Sequence, residues 1–180
     1  AAAAATASSS SSSSSAFPPS LRRLGNADAW TKVRGHLSTI PSVPLMRSGP
    51  TGCGKTVGVT CLLESMGLLP VILDSVEADD TEQLVVWIKR TRDSNSMLGK
   101  RAVVVDDVEG FTDKGRLALA GLIKDSTTGR APLILIVNNA RDPMWKRLGQ
   151  IATIRLTRPS EHVCHEWFSQ HHTWTTVDST

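Results

Sequence analysis

The chain has 180 residues, 40% of them hydrophobic, which is enough for one compact core but not for a second full domain. Its formal charge of +3 permits nucleic acid as a partner without indicating one. Three cysteines without a C-x-x-C pair exclude a disulfide framework, and no apolar run approaches the roughly 18 residues of a membrane span. We therefore expect a soluble protein of a reducing compartment that spans no membrane.

The first residues form a low-complexity segment. Residues 1–20 are mostly alanine and serine, a composition that buries too little apolar surface to offset the entropy of ordering, so we expect disorder there. Acidic residues are absent before Asp28, and Arg22 and Arg23 end the segment, which is compatible with an organelle transit peptide over residues 1–23. The alternative is a compositional tract without a targeting role.

Helices and apolar strands alternate over residues 21–158, which predicts an α/β domain with a mostly parallel five-stranded sheet. The predicted helices cover residues 28–37, 56–66, 81–92 and 111–124, and the predicted strands cover residues 43–46, 69–73, 102–105, 133–137 and 152–156. The strand at 69–73 is a continuous apolar run, which favours burial on both faces. A further helix is predicted from residue 160 to about 170.

One motif carries the strongest chemical signal, because residues 49–56 fit the phosphate-binding pattern G-x-x-x-x-G-K-[ST]. The residues of this loop are Gly49, Pro50, Thr51, Gly52, Cys53, Gly54, Lys55 and Thr56. The glycines let backbone N–H groups turn towards phosphate oxygens, Lys55 adds charge near the terminal phosphates, and Thr56 offers an oxygen to magnesium. Cys53 is interpreted as a small residue that fills the loop. A nucleotide triphosphate site follows, and a chance match in a glycine-rich coil is the alternative.

A pair of acids follows the strand predicted at 102–105. Asp106 is expected to hold magnesium through water, and Asp107 is the expected general base for the attacking water. Glutamate is usual at the second position, and the shorter aspartate predicts slow hydrolysis because misplacement by about 1 Å can cost on the order of a hundredfold in rate. Glu109 is interpreted as a structural or partner-facing acid. An ordinary acidic turn is the alternative for the pair.

Another strand intervenes in sequence between the phosphate loop and the acidic strand, an arrangement that favours additional-strand ATPases over GTPases and small-molecule kinases. Asn138 ends the next strand, where such ATPases place a polar residue that contacts the γ-phosphate or the attacking water. Taken alone, Asn138 and Asn139 are only a turn signal. The candidate catalytic residues are therefore Lys55, Asp107 and Asn138, the candidate metal ligands are Thr56 and Asp106, and the expected cofactors are ATP and Mg²⁺.

With these motifs in place, residues 24–160 resemble the AAA+ clamp loaders, in particular the large subunit of replication factor C and its alternative-loader relatives. The segments that carry the resemblance are 24–26, 49–56, 103–111, 119–124, 132–138 and 154–159. The resemblance implies a three-layer αβα P-loop NTPase fold with an AAA+ core at residues 21–158. It also implies that the helical lid is largely missing, so residues 159–180 are the start of a truncated lid or a C-terminal tail, and the chain looks like a fragment.

One departure from the family separates its subunits. Small clamp-loader subunits carry a Ser-Arg-Cys motif, whereas the matching place here is Gly149-Gln150-Ile151, without the arginine, which favours the large subunit. Arg147, Arg155 and Arg158 are interpreted as structural or nucleic-acid residues.

The function implied by the resemblance is an ATP-binding, weakly hydrolysing subunit of a sliding-clamp loader in DNA replication or repair. The implied partners are other loader subunits, the sliding clamp and the backbone of primer–template DNA, with Lys114, Arg116 and Lys124 as phosphate contacts or as an ordinary solvated face. The implied location is the nucleus, or a plastid or mitochondrion if residues 1–23 are a transit peptide.

Two alternatives to a clamp loader remain. One is an AAA+ interaction module with little or no turnover. The other is a protein-remodelling AAA+ ATPase, which the lack of an aromatic residue in 74–80 disfavours.

The C-terminal tail carries several donor side chains without a metal-binding pattern. They are His162, Cys164, His165, His171 and His172, and no C-x-x-C or H-x-x-x-H pairing orders them, so zinc is not expected. Trp167 and Phe168 are expected to pack the last helix on the core, and Trp145 is expected to pack a loop on the sheet.

Overall fold

A computed structural model describes residues 25–39, 44–74, 81–93, 99–125, 131–143, 145 and 151–171. The strands are β1 Leu45–Ser48, β2 Leu68–Leu73, β3 Lys100–Val105, β4 Leu133–Val137 and β5 Ala152–Arg155. The helices are α1 Ala27–Ser38, α2 Lys55–Ser65, α3 Thr81–Asp93, α4 Asp113–Asp125 and α5 Glu161–His171, and a 3₁₀ turn covers Val108–Gly110. The expected disorder and transit peptide before residue 24, and the site at Gly149 and Gln150, lie outside the described residues.

The five strands form one sheet in the order β2-β3-β4-β1-β5, and every neighbouring pair is parallel. The predicted five-stranded α/β sheet is therefore confirmed. The acidic strand β3 is separated from the phosphate-loop strand β1 by β4, which is the spatial order of an additional-strand ATPase. Because all strands point the same way, their carboxyl ends meet at one edge of the sheet, where ligands of open α/β sheets bind.

Strand β1 begins and ends two residues later than the predicted 43–46, so that prediction is wrong at both ends. Arg47 and Ser48 pair in register with Ile136 and Val137 of β4. The strand was not predicted to include Arg47 and Ser48, because a run of apolar residues was used to locate it and these two residues are polar. Pro44 has no N–H for a ladder and contributes only its carbonyl oxygen, which accepts a hydrogen bond from Ala152 N at 3.2 Å.

The expectation that the apolar run of β2 is buried on both faces is also wrong. The sheet order places β2 at an edge, paired with β3. Leu69 remains 43% exposed and Ile72 40% exposed, and only Leu73 is buried. The apolar run predicted the strand but not its position in the sheet, because strand order is a property of the whole chain.

The core lies in two layers, one on each face of the sheet. On one face, alternate residues of β3 and β4 pack with α3 and α4, among them Leu84 and Ile88, and Trp145 joins them with 5% exposure. On the other face, the intervening residues pack with α1 and α2, including Leu62 and Leu63. This is the predicted three-layer αβα arrangement, and the prediction for Trp145 is confirmed. The side chains of Trp167 and Phe168 lie outside the described part.

One close contact fixes the helix that follows the phosphate loop. Trp30 of α1 packs so tightly on Gly58 of α2 that a Cβ at Gly58 would lie 2.2 Å from the indole ring. The guanidinium of Arg47 stacks on the same ring, with its central carbon 4.2 Å from the ring centroid. Trp30 therefore joins α1, α2 and β1 beneath the loop. In the described ranges, no helix is both long and apolar enough to cross a membrane.

Candidate nucleotide-binding site

The phosphate loop connects the carboxyl end of β1 to the first residue of α2, Lys55. Gly52 and Gly54 have φ of 81° and 80°, a left-handed conformation that disfavours side chains. A Cβ at Gly49 would lie 2.8 Å from the carbonyl oxygen of Leu156 and 3.0 Å from Cys53 Sγ. Cys53 is only 5% exposed and packs into the core, as its interpretation as a loop-filling residue requires. The three glycines of the motif are thus required for two reasons, the left-handed backbone at Gly52 and Gly54 and the close approach of Leu156 at Gly49.

Lys55 is 8% exposed, and its ammonium group lies between the loop and the end of β4. Nζ donates hydrogen bonds to the carbonyl oxygens of Gly49 at 2.7 Å and Pro50 at 3.1 Å, and to Asn138 Oδ1 at 2.8 Å. All three acceptors are neutral, so they orient the ammonium group without cancelling its charge. The geometry keeps a positive charge at the loop, where a terminal phosphate would need it.

The two candidate metal ligands are in direct contact. Thr56 Oγ1 donates a hydrogen bond of 2.6 Å to Asp106 Oδ2, while Asp106 Oδ1 accepts one of 2.8 Å from the backbone N–H of Asp107. The N–H of Asp106 donates to the carbonyl oxygen of Leu73 at 2.8 Å, which fixes the end of β3 against β2. A hydroxyl and a carboxylate are oxygen ligands of the kind that Mg²⁺ prefers, so the residues present fit this ion.

Magnesium usually keeps several waters and binds one or two carboxylates together with substrate phosphates. The described residues contain no group of three or more His, Cys, Asp or Glu side chains that could hold a metal without such help. A metal at Thr56 and Asp106 would therefore depend on water and on nucleotide phosphate for its remaining ligands.

Asp107, the candidate general base, is exposed and has φ 46° and ψ 51°. This left-handed conformation is uncommon outside glycine, and aspartate and asparagine are among the residues that adopt it most readily. Asn138 Nδ2 approaches Asp107 Oδ1 at 3.5 Å, at the long limit of a hydrogen bond. Asp107 therefore lies beside Asn138, the residue expected to contact the γ-phosphate or the attacking water, at the edge of the site.

Asn138 connects the other candidates. Its Oδ1 accepts from Lys55 Nζ and, at 3.4 Å, from Thr51 Oγ1, while its Nδ2 faces Asp107. These residues line a cavity of about 330 Å³. The complete lining is Thr51, Gly52, Gly54, Lys55, Thr56, Val57, Asp106, Asp107, Ile136 and Asn138. The structure thus brings together all three candidate catalytic residues and both candidate metal ligands.

Two contributions near the site were not foreseen in detail from the sequence. Glu109 Oε1 accepts hydrogen bonds from the backbone N–H groups of Asn138 at 2.6 Å and Asn139 at 2.8 Å, so its interpretation as a structural acid is confirmed. Asn26 binds the backbone of Thr157, with Nδ2 donating to its oxygen at 3.0 Å and Oδ1 accepting from its nitrogen at 2.9 Å. Both contacts join segments distant in sequence, which residue spacing does not predict.

The basic residues proposed for DNA contact lie on α4 and differ in their surroundings. Lys114 and Lys124 are exposed. Arg116 forms ion pairs with Asp113 and, at 3.9 Å, with Asp142, and its side chain is 23% exposed. Two of the three candidates are therefore open to solvent, whereas Arg116 is already bound within the chain. Arg155 and Arg158 are exposed at the end of β5 and beyond it, and Arg147 lies outside the described residues.

The sheet order, the loop after β1 and the acids after β3 together define an additional-strand P-loop NTPase fold with an AAA+ type of core. A scan of protein-family models found no match. The chain is nevertheless similar to curated proteins named replication factor C large subunit. That of Methanococcus aeolicus is 26% identical over 113 residues, which cover 62% of this chain and 24% of the relative.

Two further relatives extend this similarity. The protein of Pyrobaculum aerophilum is 28% identical over 138 residues, covering 73% of this chain and 32% of the relative. That of Pyrobaculum calidifontis is 30% identical over 117 residues, which cover 63% of this chain and 28% of the relative. The chain thus spans about a quarter to a third of the length of the curated relatives it matches. These partial similarities support a relationship to the AAA+ clamp loaders without identifying a subunit.

Proposed function

We propose that this chain is the ATP-binding module of a DNA sliding-clamp loader and that it hydrolyses ATP slowly. The observation that carries the proposal is the connected set of side chains at the carboxyl edge of the sheet. Lys55 is bonded to Asn138, and Thr56 is bonded to Asp106, around one cavity. A chance match to the loop pattern would not place a polar strand end and an acidic strand end within hydrogen-bond reach of the loop.

Each residue has a separate task in this proposal. The backbone N–H groups of the loop hold the phosphates, and Lys55 neutralises charge on the terminal ones. Thr56 and Asp106 would hold Mg²⁺, which, when bound, neutralises the charge that develops on the phosphate oxygens. Asn138 orients the γ-phosphate or the attacking water, and Asp107 accepts the proton of that water.

The clamp-loader part of the proposal rests on the similarity to replication factor C large subunits. It includes other loader subunits, a sliding clamp and primer–template DNA as partners, and a role in replication or repair. Lys114 and Lys124 are the exposed residues that would contact the DNA backbone. The large-subunit assignment and the nuclear location belong to the proposal as well.

A nucleotide-binding interaction module with little or no turnover is the second candidate. The specific observation in its favour is Asp107, whose shorter side chain and left-handed backbone place the proposed base at the exposed edge of the cavity. This module would bind ATP in the same way but would use the bound state, and not hydrolysis, to control its partners.

The deciding experiment compares nucleotide binding with turnover. Calorimetry with Mg²⁺-ATP and Mg²⁺-ADP is combined with steady-state phosphate release, with and without primed DNA and a sliding clamp. Lys55→Ala should weaken ATP binding at least tenfold, because it removes the only cation that faces the cavity within the described residues. Lys32→Ala, at an exposed lysine of α1, is the matched control and should bind as the wild type does.

The outcomes separate the two candidates. ATP binding together with turnover that primed DNA and the clamp stimulate would support the loader, and ATP binding without any turnover would favour the interaction module. A wild-type chain that binds no nucleotide at millimolar ATP would overturn both.

A further inference from the structure

The carboxylate of Glu109 holds the turn that carries Asn138. The 3₁₀ turn Val108–Gly110 begins directly after the proposed base Asp107, and Glu109 is the middle residue of this turn. Its Oε1 accepts two backbone hydrogen bonds, from Asn138 N at 2.6 Å and from Asn139 N at 2.8 Å. Both N–H groups lie beyond Val137, where β4 and its ladder end, so this carboxylate supplies the acceptor that a neighbouring strand no longer provides.

These two hydrogen bonds are stronger than bonds between neutral groups. A carboxylate that accepts from N–H groups forms charge-assisted bonds, roughly twice as strong as neutral ones. Glu109 is half-buried, and its second oxygen, Oε2, is buried with no hydrogen-bond partner in the described part of the chain. No lysine or arginine of the described ranges forms an ion pair with it. The contacts of this side chain are therefore directed to the turn.

The same turn is held from its other side by the core. The indole Nε1 of Trp145 donates a hydrogen bond of 2.7 Å to the carbonyl oxygen of Asn139, and Asn139 Oδ1 accepts from Arg141 N at 3.0 Å. Asn138, the preceding residue, is left with its side chain in the cavity, 2.8 Å from Lys55 Nζ. Glu109 is thus the link between this turn and the segment after β3, which also carries Asp106 and Asp107.

We propose that Glu109 is a positioning residue that fixes the distance between the Asn138 amide and the terminal phosphate of bound ATP. This inference rests on the proposed ATP-binding function and adds a residue to it. Glu109 does not line the cavity, so it acts only through the backbone of Asn138 and Asn139. Because Glu109 follows Asp107 by two residues, one short segment carries the proposed base and also positions Asn138.

The test compares Glu109→Ala with Glu109→Gln. The alanine variant leaves both N–H groups without their acceptor, so the Asn138 amide loses its fixed position and kcat should fall about tenfold to a hundredfold. The dissociation constant for ADP should change less than about threefold, while the preference for ATP over ADP is lost. The glutamine variant keeps an oxygen that accepts both hydrogen bonds and should restore most of kcat and of the ATP preference. Glu64→Ala, at an exposed position of α2, is the control and should leave all constants unchanged.

A double-mutant cycle with Asn138→Ala distinguishes positioning from general destabilisation. If Glu109 acts through Asn138, adding Glu109→Ala to Asn138→Ala should change kcat and the ATP preference less than about twofold. Amide hydrogen exchange without nucleotide should show faster exchange at Asn138 and Asn139 in Glu109→Ala, and near wild-type exchange in Glu109→Gln.

Three results would overturn the inference. They are wild-type kcat and ATP preference in a folded Glu109→Ala variant, additive effects in the cycle, and a glutamine variant as defective as the alanine variant. With any of these results, the proposed function would still hold if the wild-type chain binds ATP. A wild-type chain that binds no ATP would overturn the proposed function and the inference together.

Discussion

At the scale of single residues, Asp107 shows how backbone conformation selects a side chain. Its φ of 46° and ψ of 51° lie in the left-handed region, which aspartate tolerates better than glutamate because its short polar side chain can bond locally. The aspartate that replaces the usual glutamate therefore suits the backbone found here. The same choice shortens the reach of the proposed base, so stability and turnover oppose each other at this residue.

Two substitutions of Asp107 test this opposition. Asp107→Asn keeps the backbone preference but cannot accept a proton, so kcat should fall at least tenfold with ATP affinity and stability unchanged. Asp107→Glu should lower the free energy of unfolding by about 1 kcal/mol through backbone strain while raising kcat. Steady-state phosphate release and urea denaturation measure both effects. Wild-type turnover in Asp107→Asn would exclude Asp107 as the base.

At the scale of helices and strands, local patterns predicted most elements closely. The strand predicted at 133–137 is found at Leu133–Val137, and the helix predicted at 81–92 is found at Thr81–Asp93. The errors have physical causes. Arg47 and Ser48 are polar residues in a central strand, where sheet pairing overrides their pattern, and the edge position of β2 depends on strand order.

Some parts of the candidate site could be predicted from short stretches of sequence, and others depend on contacts between residues far apart in the chain. The phosphate loop is a contiguous motif whose residues carry the chemistry, and Asp106, Asp107 and Asn138 follow from their places at strand ends. The hydrogen bonds of Glu109 to the turn at Asn138 span 29 and 30 residues, so only the fold reveals them.

The packing of α1 on α2 can be tested at Gly58, with Gly121 of α4 as a control. Gly58→Ala should lower the free energy of unfolding by about 1–3 kcal/mol, because its Cβ would meet buried Trp30 at 2.2 Å and the helix must shift. Gly121→Ala, on α4, meets nothing within 4 Å and should raise it by about 0.5–1 kcal/mol through helix propensity. Urea denaturation of both variants is the measurement. Equal effects would show that α1 does not pack on α2 in this way in solution.

At the scale of the whole molecule, the two core layers meet the functional edge in different ways. The layer with α3 and α4 contains Val108, which follows Asp107, and Trp145, which donates a hydrogen bond to the carbonyl oxygen of Asn139. The layer with α1 and α2 contains Cys53 of the phosphate loop. Binding a nucleotide across the cavity would therefore connect both layers. The layer with α1 and α2 also contacts a buried charge, the guanidinium of Arg47, which stacks on Trp30.

Arg47 is completely buried, and Nε and both terminal nitrogens lack hydrogen-bond partners among the described residues. Burial lowers the pKa of Arg47 to about 10, so keeping the charge inside the fold costs on the order of 3 kcal/mol. The stacking on Trp30 offsets up to about 2 kcal/mol of that cost. We therefore expect Arg47→Met to raise the free energy of unfolding by about 1–3 kcal/mol at pH 7.

The pH dependence identifies the cause of this gain. Below about pH 10, the folded and unfolded wild-type chains both carry the charge, and the cost is fully present. Above it the folded chain loses the proton first, the unfolded chain then binds more protons, and wild-type stability rises relative to Arg47→Met. Urea denaturation at pH 7 and at about pH 10.5 should show the advantage of Met shrinking, with exposed Lys32→Met as the control that changes little. A Met variant less stable than the wild type at pH 7 would mean that the contact with Trp30 outweighs the burial of the charge.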